Sequence, residues 1–295
     1  MLPRAAATNH LFTIGFGGGS VTLKEEDQRE SSQTVRKQGA PGSDVYFVGV
    51  PENSITVLDS ESGDPVATIP VGEDPRWIQL SPEQFTAWVT NFGSDSISMI
   101  DTDTRSVLRT INLAPGSGPL GIAPGPWNEW LYVVNSTSDS LSRIWIPNES
   151  VMMTVDAGAG ATHVAVSPDG ELAYVTNQTD GTVSVIDTLS MELVTTIEGI
   201  PGAASVTFGD RGSKAYVTGC TDSGELYFIQ TSDHTVTGSI PVGSDPVSVR
   251  LSPYGVSLFV ANRGSGTVTI VDVRTETVRE TVQVGNEPVD VAAVL

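Results

Sequence analysis

The sequence predicts an all-β protein, a seven-bladed β-propeller of four-stranded antiparallel blades. Three observations predict it. One stretch reads as short strands separated by turns, that stretch returns along the chain at near-constant spacing, and the C-terminus ends on the one strand that the N-terminus lacks.

The reference unit is Ala173 to Ile197, AYVTNQTDGTVSVIDTLSMELVTTI. Ala173 to Thr176 is a β-prone run, and Asn177 to Gly181 is turn chemistry, because Asn, Asp and Gly tolerate the backbone angles of tight turns. Val183, Val185 and Asp187 alternate with Ser184 and Ile186, which is strand periodicity. A turn at Asp187-Thr188 leads to a further strand, Glu192 to Ile197. Upstream, Ala161 to Pro168 supplies an innermost strand, ended by the turn Pro168-Asp169-Gly170. One such sheet has two apolar faces and no core of its own, so it must stack between copies of itself.

The copies are present. The second strand returns at 87–91 (AWVTN), 131–135 (LYVVN), 215–219 (AYVTG) and 258–262 (LFVAN), with a weaker copy at 46–50 (YFVGV). The third returns as SITVLDS (54–60), SISMIDT (96–102) and TVTIVDV (267–273). The innermost returns as DPRWIQLSP (74–82), DPVSVRLSP (245–253) and, with drift, GPLGIAPGP (118–126). On these motifs the chain resembles the YVTN family of β-propeller repeats, whose tetrapeptide stands at Tyr174 to Asn177. The resemblance covers nearly the whole chain and implies a propeller. It implies no single activity, since such repeats occur in surface-layer modules and in proteins of other roles.

Taken in order, His10 to Leu23 aligns with Ser257 to Ile270 and reads as the second and third strands of a first blade. GFGGGS (15–20) between them is a hairpin turn. It lacks the Lys and following helix of a phosphate loop. No innermost strand precedes this blade, and Pro288 to Leu295 (PVDVAAVL) matches that pattern, so the C-terminus is expected to pair with Leu11 to Phe16 and close the ring. Second strands begin at 11, 46, 87, 131, 173, 215 and 258, which counts seven blades. The first interval is short by about one strand. Either the second blade has lost its innermost strand, or SSQTVRKQ (31–38) serves there and the first blade lacks its outer one. Gln38 to Asp44 shows no apolar alternation, and no helix of normal length is predicted. Residues 1–295 read as one domain, with 1–9 as a disordered or extended lead.

Net charge is −20, and Lys occurs only at Lys24, Lys37 and Lys214. Such a surface repels phosphate backbones, which excludes nucleic acid as the expected partner. It suits either a salt-loving source or a genome that favours Arg over Lys. Cys220 stands alone, so no intrachain disulfide forms. No CxxC or other strong metal-ligand spacing is present, there are three His, and neither metal nor cofactor is predicted. No apolar run is long enough to span a bilayer. MLPRAAATNH has no apolar core, so the protein is cytoplasmic unless a leader was removed, in which case it is extracytoplasmic.

In a blade of this kind the loop into the first strand and the loop between the second and third lie on one face, where radial folds build ligand sites. That face is expected to carry Arg76, Trp77, Leu120, His163, Ser205, Ser248 and Asp290, then Asn91, Asn135, Asn177, Cys220 and Arg263 with Gly17 to Gly19. His163 is the sharpest candidate. Its aligned neighbours are Trp77, Gly121, Ser205, Ser248 and Asp290, so the repeat does not demand His, and an imidazole near a channel mouth suits acid–base work. The plain alternative is a packed imidazole with one hydrogen bond. Arg76 and Arg263 suit a carboxylate on a ligand, or simply balance charge. Cys220 reads as a small buried filler, since a nucleophile needs a base and His163 belongs to the neighbouring blade. The Asn ends of second strands and Asp101, Asp187 and Asp272 read as turn formers, and the five Trp as inter-blade packing, with Trp127 and Trp130 in a loop, PGPWNEW.

These residues support a binding or interaction scaffold, with a small anionic molecule or a protein at the channel mouth and Arg76, Trp77, His163, Arg263 and Asp290 as contacts. The alternative is a lactonase-, lyase- or isomerase-like enzyme with its pocket on the same face.

Overall fold

The computed structural model describes residues 9–15, 22–26, 31–36, 44–59, 64–209, 211–252, 254–284 and 287–294, and for 9–15, 22–26, 31–36 and 292–294 the backbone alone. Six four-stranded antiparallel sheets, each strand paired with the next in sequence, follow one another as blades I to VI at 31–70, 75–112, 119–156, 161–197, 203–241 and 246–283. Blade IV holds the reference unit, as Ala161–Val166, Leu172–Asn177, Thr182–Asp187 and Leu193–Ile197. The first strand of each blade adjoins the first strand of the next, so these strands line the centre. Among the described residues the one helical element is a three-residue 3₁₀ turn, Ile146–Asn148, and no helix is long and apolar enough to cross a membrane.

Two expectations are corrected here. Seven four-stranded blades were expected and the structure has six. The closure of the ring by an antiparallel strand 288–295 is also not found: Ala292–Val294 pairs parallel to Asn9–Gly15 over three residues, in a three-stranded sheet with Thr22–Glu26. The cause lies in Ser31–Arg36, which pairs with Asp44–Gly49 as the inner strand of blade I. A strand spent there cannot also be the outer strand of the N-terminal unit, which is left with two strands of its own. Of the two readings of SSQTVRKQ, the second therefore holds. The expected turn at 16–20, the lead 1–8 and the stretch 38–43 lie outside the described residues.

The YVTN-like tetrapeptide explains itself position by position. Its aromatic (Tyr46, Trp88, Tyr132, Tyr174, Tyr216 or Phe259) is buried in every blade, where each ring contributes about 1.5–3 kcal/mol. The Tyr hydroxyls find partners in the next blade: Tyr46 donates to the Thr102 carbonyl at 3.1 Å, and Tyr174 meets His234 Nδ1 at 2.8 Å. The closing Asn is a buried clamp more than a turn former. Asn177 donates from Nδ2 to Thr182 and Ser184 at 3.0 and 2.9 Å and accepts from the Gly158 N–H at 3.0 Å, and Asn91 repeats the pattern with Ser96, Ser98 and Gly72. Asp101, Asp187 and Asp272 do form turns, each accepting backbone N–H groups two and three residues on.

Candidate functional site

The site is built by a bulge. In blades II to VI one extra residue enters the start of the inner strand, where the pairing register shifts. The freed N–H groups of Trp77, His163 and Ser205 are taken by Thr90, Thr176 and Thr218, the Thr of the tetrapeptide, at 3.1, 3.1 and 3.0 Å. The residue after the bulge, Trp77, Gly121, His163, Ser205 or Ser248, is buried in each of these blades. From there it bonds sideways to the following segment. His163 Nδ1 accepts from the Val206 N–H and Ser205 Oγ from the Val249 N–H, both at 3.3 Å, and Ser248 Oγ donates to Asp290 at 2.5 Å.

Gly121 breaks this sequence of side chains, and the gap assembles the cluster. A Cβ there would lie 2.7 Å from His163 Cα, so only glycine lets the strands approach this closely. Trp77 stacks against His163 with ring centroids 4.7 Å apart and planes tilted by 54°. The Arg250 guanidinium carbon stands 5.6 Å from the Trp77 ring centroid, within cation–π range, and its Nε and Nη2 reach Asp290 at 3.4 and 3.3 Å. The Asp290 side chain is 1% exposed, that of Arg250 24%. Val291 is buried against Phe259 and Ala261 of blade VI, and this anchors Asp290 beside Arg250.

His163 is 5% exposed, and burial, with the Arg250 charge second, pushes its pKa down to about 3. The ring is neutral at physiological pH. Because Nδ1 accepts the Val206 N–H, the proton sits on Nε2, and this N–H has no acceptor among the described residues. The Trp77 Nε1–H is buried without an acceptor as well. A neutral imidazole donor and a guanidinium held by a buried carboxylate together suit an oxygen that carries or develops negative charge.

The structure thus brings Trp77, His163 and Asp290 into one cluster through Arg250. Arg76 and Arg263 are engaged elsewhere: Arg76 donates to Asp74 at 2.8 Å beside the Phe92 ring, and Arg263 to Asp245 at 2.6 Å. Asp245 also takes the Cys220 thiol at 2.6 Å. Burial, and then Asp245, push that thiol up to about 12, so Cys220 carries no thiolate at neutral pH. Arg250 is the residue that sequence reasoning missed. It stands where the other inner strands carry Gln79, Ala123, Ala165 and Thr207, each opposite the buried aromatic of its own blade, and a full charge at that position was the available signal. Among the described residues no group of three or more His, Cys, Asp or Glu is placed to hold a metal ion.

A family model described as a lactonase, seven-bladed β-propeller, matches residues 147–292, just under half of the chain. No curated protein matches. Among solved structures the chain is similar to a hydrazine synthase chain of Kuenenia stuttgartiensis, with a TM-score of 0.77, 20% identity and 88% of both chains covered. A putative 6-phosphogluconolactonase from Bacteroides fragilis NCTC 9343 gives 0.73 and 18%, covering 92% of this chain and 90% of that one. A streptogramin B lyase gives 0.73 and 15%, covering 89% and 86%. At these identities the likeness shows the fold. The expected seven-bladed YVTN propeller is corrected accordingly, to a propeller of six four-stranded blades related to lactonase- and lyase-type folds.

Proposed function

We propose that the chain is a small-molecule enzyme of the lactonase or lyase type, acting at the Trp77–His163–Arg250–Asp290 cluster on a carbonyl compound with an anionic group. One observation carries this reading: a buried imidazole is held neutral with its Nε2–H unclaimed, beside a guanidinium. In that state His163 donates to a carbonyl oxygen as negative charge grows on it, without first having to lose a proton. Arg250 offers its remaining N–H groups to a carboxylate or phosphate on the same molecule. Asp290 is buried and already shared between Ser248 and Arg250, so its part is to position Arg250. Trp77 supplies an apolar wall. Ring opening by water and elimination next to the carbonyl both use this polarisation, and the lactonase model and the lyase structure belong to those two classes.

The test is turnover of a panel of aldonolactones and of linear ester substrates by the intact chain, its His163→Gln variant and its Arg250→Met variant. Loss of one oxyanion donor should lower kcat by about a hundredfold. Turnover that survives both substitutions would sink the assignment. Saturable binding of the anionic compounds with no turnover would return the chain to the scaffold reading.

A further inference from the structure

On the face that carries the Pro168-Asp169-Gly170 turn, blades III and IV part to leave a cleft of about 510 Å³. One wall is the PGPWNEW loop, with Trp127 and Trp130, and the other is the pair of turns at 169–171 and 187–189. We propose that this cleft is a binding site for a neutral saccharide, separate from the channel cluster.

Trp127 is 71% exposed, although its ring packs against Gly170, where a Cβ would come within 3.0 Å of it. A large aromatic face presented to water in a fixed position is unusual, and across the cleft Leu189 is 83% exposed. Two carboxylates, Glu129 and Glu171, are exposed beside it with no side-chain partner among the described residues, whereas Asp169 and Asp187 are committed to Ser167 and to the Leu189 and Ser190 N–H groups.

At the floor lies Arg143, nine-tenths buried. It donates to the Thr188 and Leu189 carbonyls, and its guanidinium carbon sits 4.4 Å from the Trp130 ring centroid. Its Nη2 contacts Met153 Sδ at 3.6 Å, no carboxylate lies within ion-pair distance among the described residues although Asp187 feels its charge, and its Nε–H has no acceptor there. The positive charge at the floor therefore favours acceptors on a guest, and the carboxylates at the rim favour donors. An anion meets the carboxylates and a cation meets Arg143. A neutral polyol satisfies both, since every hydroxyl donates and accepts. A pyranose adds a flat C–H face that covers Trp127, and its edge hydroxyls make charge-assisted bonds to Glu129 and Glu171. The volume lies in the range of small-molecule sites.

The test applies the labelled full chain to an array of neutral, acidic and aminated glycans, followed by calorimetric titration of the strongest binder. Neutral glycans should bind. Trp127→Ala, on the surface, should leave the melting temperature unchanged and weaken binding by about tenfold or more. Glu171→Gln should weaken it less, and His163→Gln should leave it unchanged. No neutral glycan bound, a preference for acidic or aminated ones, or a neutral binder unaffected by Trp127→Ala would each overturn the proposal.

Discussion

Two sets of residues sit side by side at the bulges and behave in opposite ways. Thr90, Thr176 and Thr218 recur from blade to blade and do the same thing each time, taking a freed N–H. On the neighbouring inner strands, the positions held by Trp77, Gly121, His163, Ser205 and Ser248 share one backbone environment and carry four kinds of residue. The repeat fixes the backbone and leaves that position free. The Trp77–His163 contact lies there, because a non-repeated side chain costs the fold little once the Thr and Asn clamps hold the strand. Substitutions at clamps should therefore move stability and spare activity, and substitutions in the cluster should lower activity whatever they do to stability.

The strongest break of this comparison is Asn177→Ala. It removes three hydrogen bonds of a fully buried side chain and strands their partners, so a loss of about 3 kcal/mol is expected in urea denaturation, with activity per folded molecule intact. Loss of activity in the fully folded fraction would mean that clamp and cluster are not separable.

Acid sharpens the same contrast. His163 binds its proton near pH 6.5 when unfolded and only near about 3 when folded, so between these values the unfolded state holds more protons. Stability should fall as pH drops through that window, by about 1.4 kcal/mol per pH unit at most. Asp169, Asp187 and Asp272, held below the ordinary carboxylate value chiefly by hydrogen bonds to their charged forms, add their losses only at more acid pH. Denaturation at pH 6.5 and 4.5 should show the decline in the wild type and a flatter line in His163→Gln. Equal slopes would mean that His163 is solvated.

A smaller effect belongs to Thr176→Val, which keeps the shape but leaves the His163 N–H and the Ala204 carbonyl without Oγ1. The expected cost is about 1–2 kcal/mol, with the cluster still assembled. A loss of activity well beyond the loss of stability would show that the bulge, and not the side chain after it, is what the site requires.

The sequence carried much of this and withheld particular parts. Strand periodicity and the repeat placed every blade from II to VI, and the repeat alignment put Trp77, His163, Ser205, Ser248 and Asp290 at one position before any contact was visible. The blade count failed because second strands can be counted from pattern while their partners cannot: nothing in SSQTV says whether it is an outer or an inner strand, and nothing in AAV says parallel. Arg250 was legible in principle: the bulge lies before Ser248, so alternation returns Arg250, two residues on, to the same face. What the repeat did not show was its partner, because Asp290 lies beyond the last full blade.

Arg76 gives the smallest expected effect and, set against Arg250, the cleanest discrimination. Both are arginines on inner strands and both have an Asp partner, so sequence cannot rank them. Their partners differ in burial: Asp74 is 29% exposed and Asp290 1%. An exposed pair is screened by water, and breaking it with Arg76→Ala should change stability by about a few tenths of a kcal/mol. The Arg76 guanidinium lies over Phe92, whereas that of Arg250 lies over Trp77, so ligand affinity and turnover should stay at the wild-type level. Arg250→Met, by contrast, leaves the buried Asp290 with Ser248 as its one side-chain partner among the described residues, and should lose both stability and activity. If calorimetric titration with an anionic substrate analogue showed Arg76→Ala weakened as much as Arg250→Met, the ligand would span the face outward to Asp74, and the cluster would be one end of a larger site.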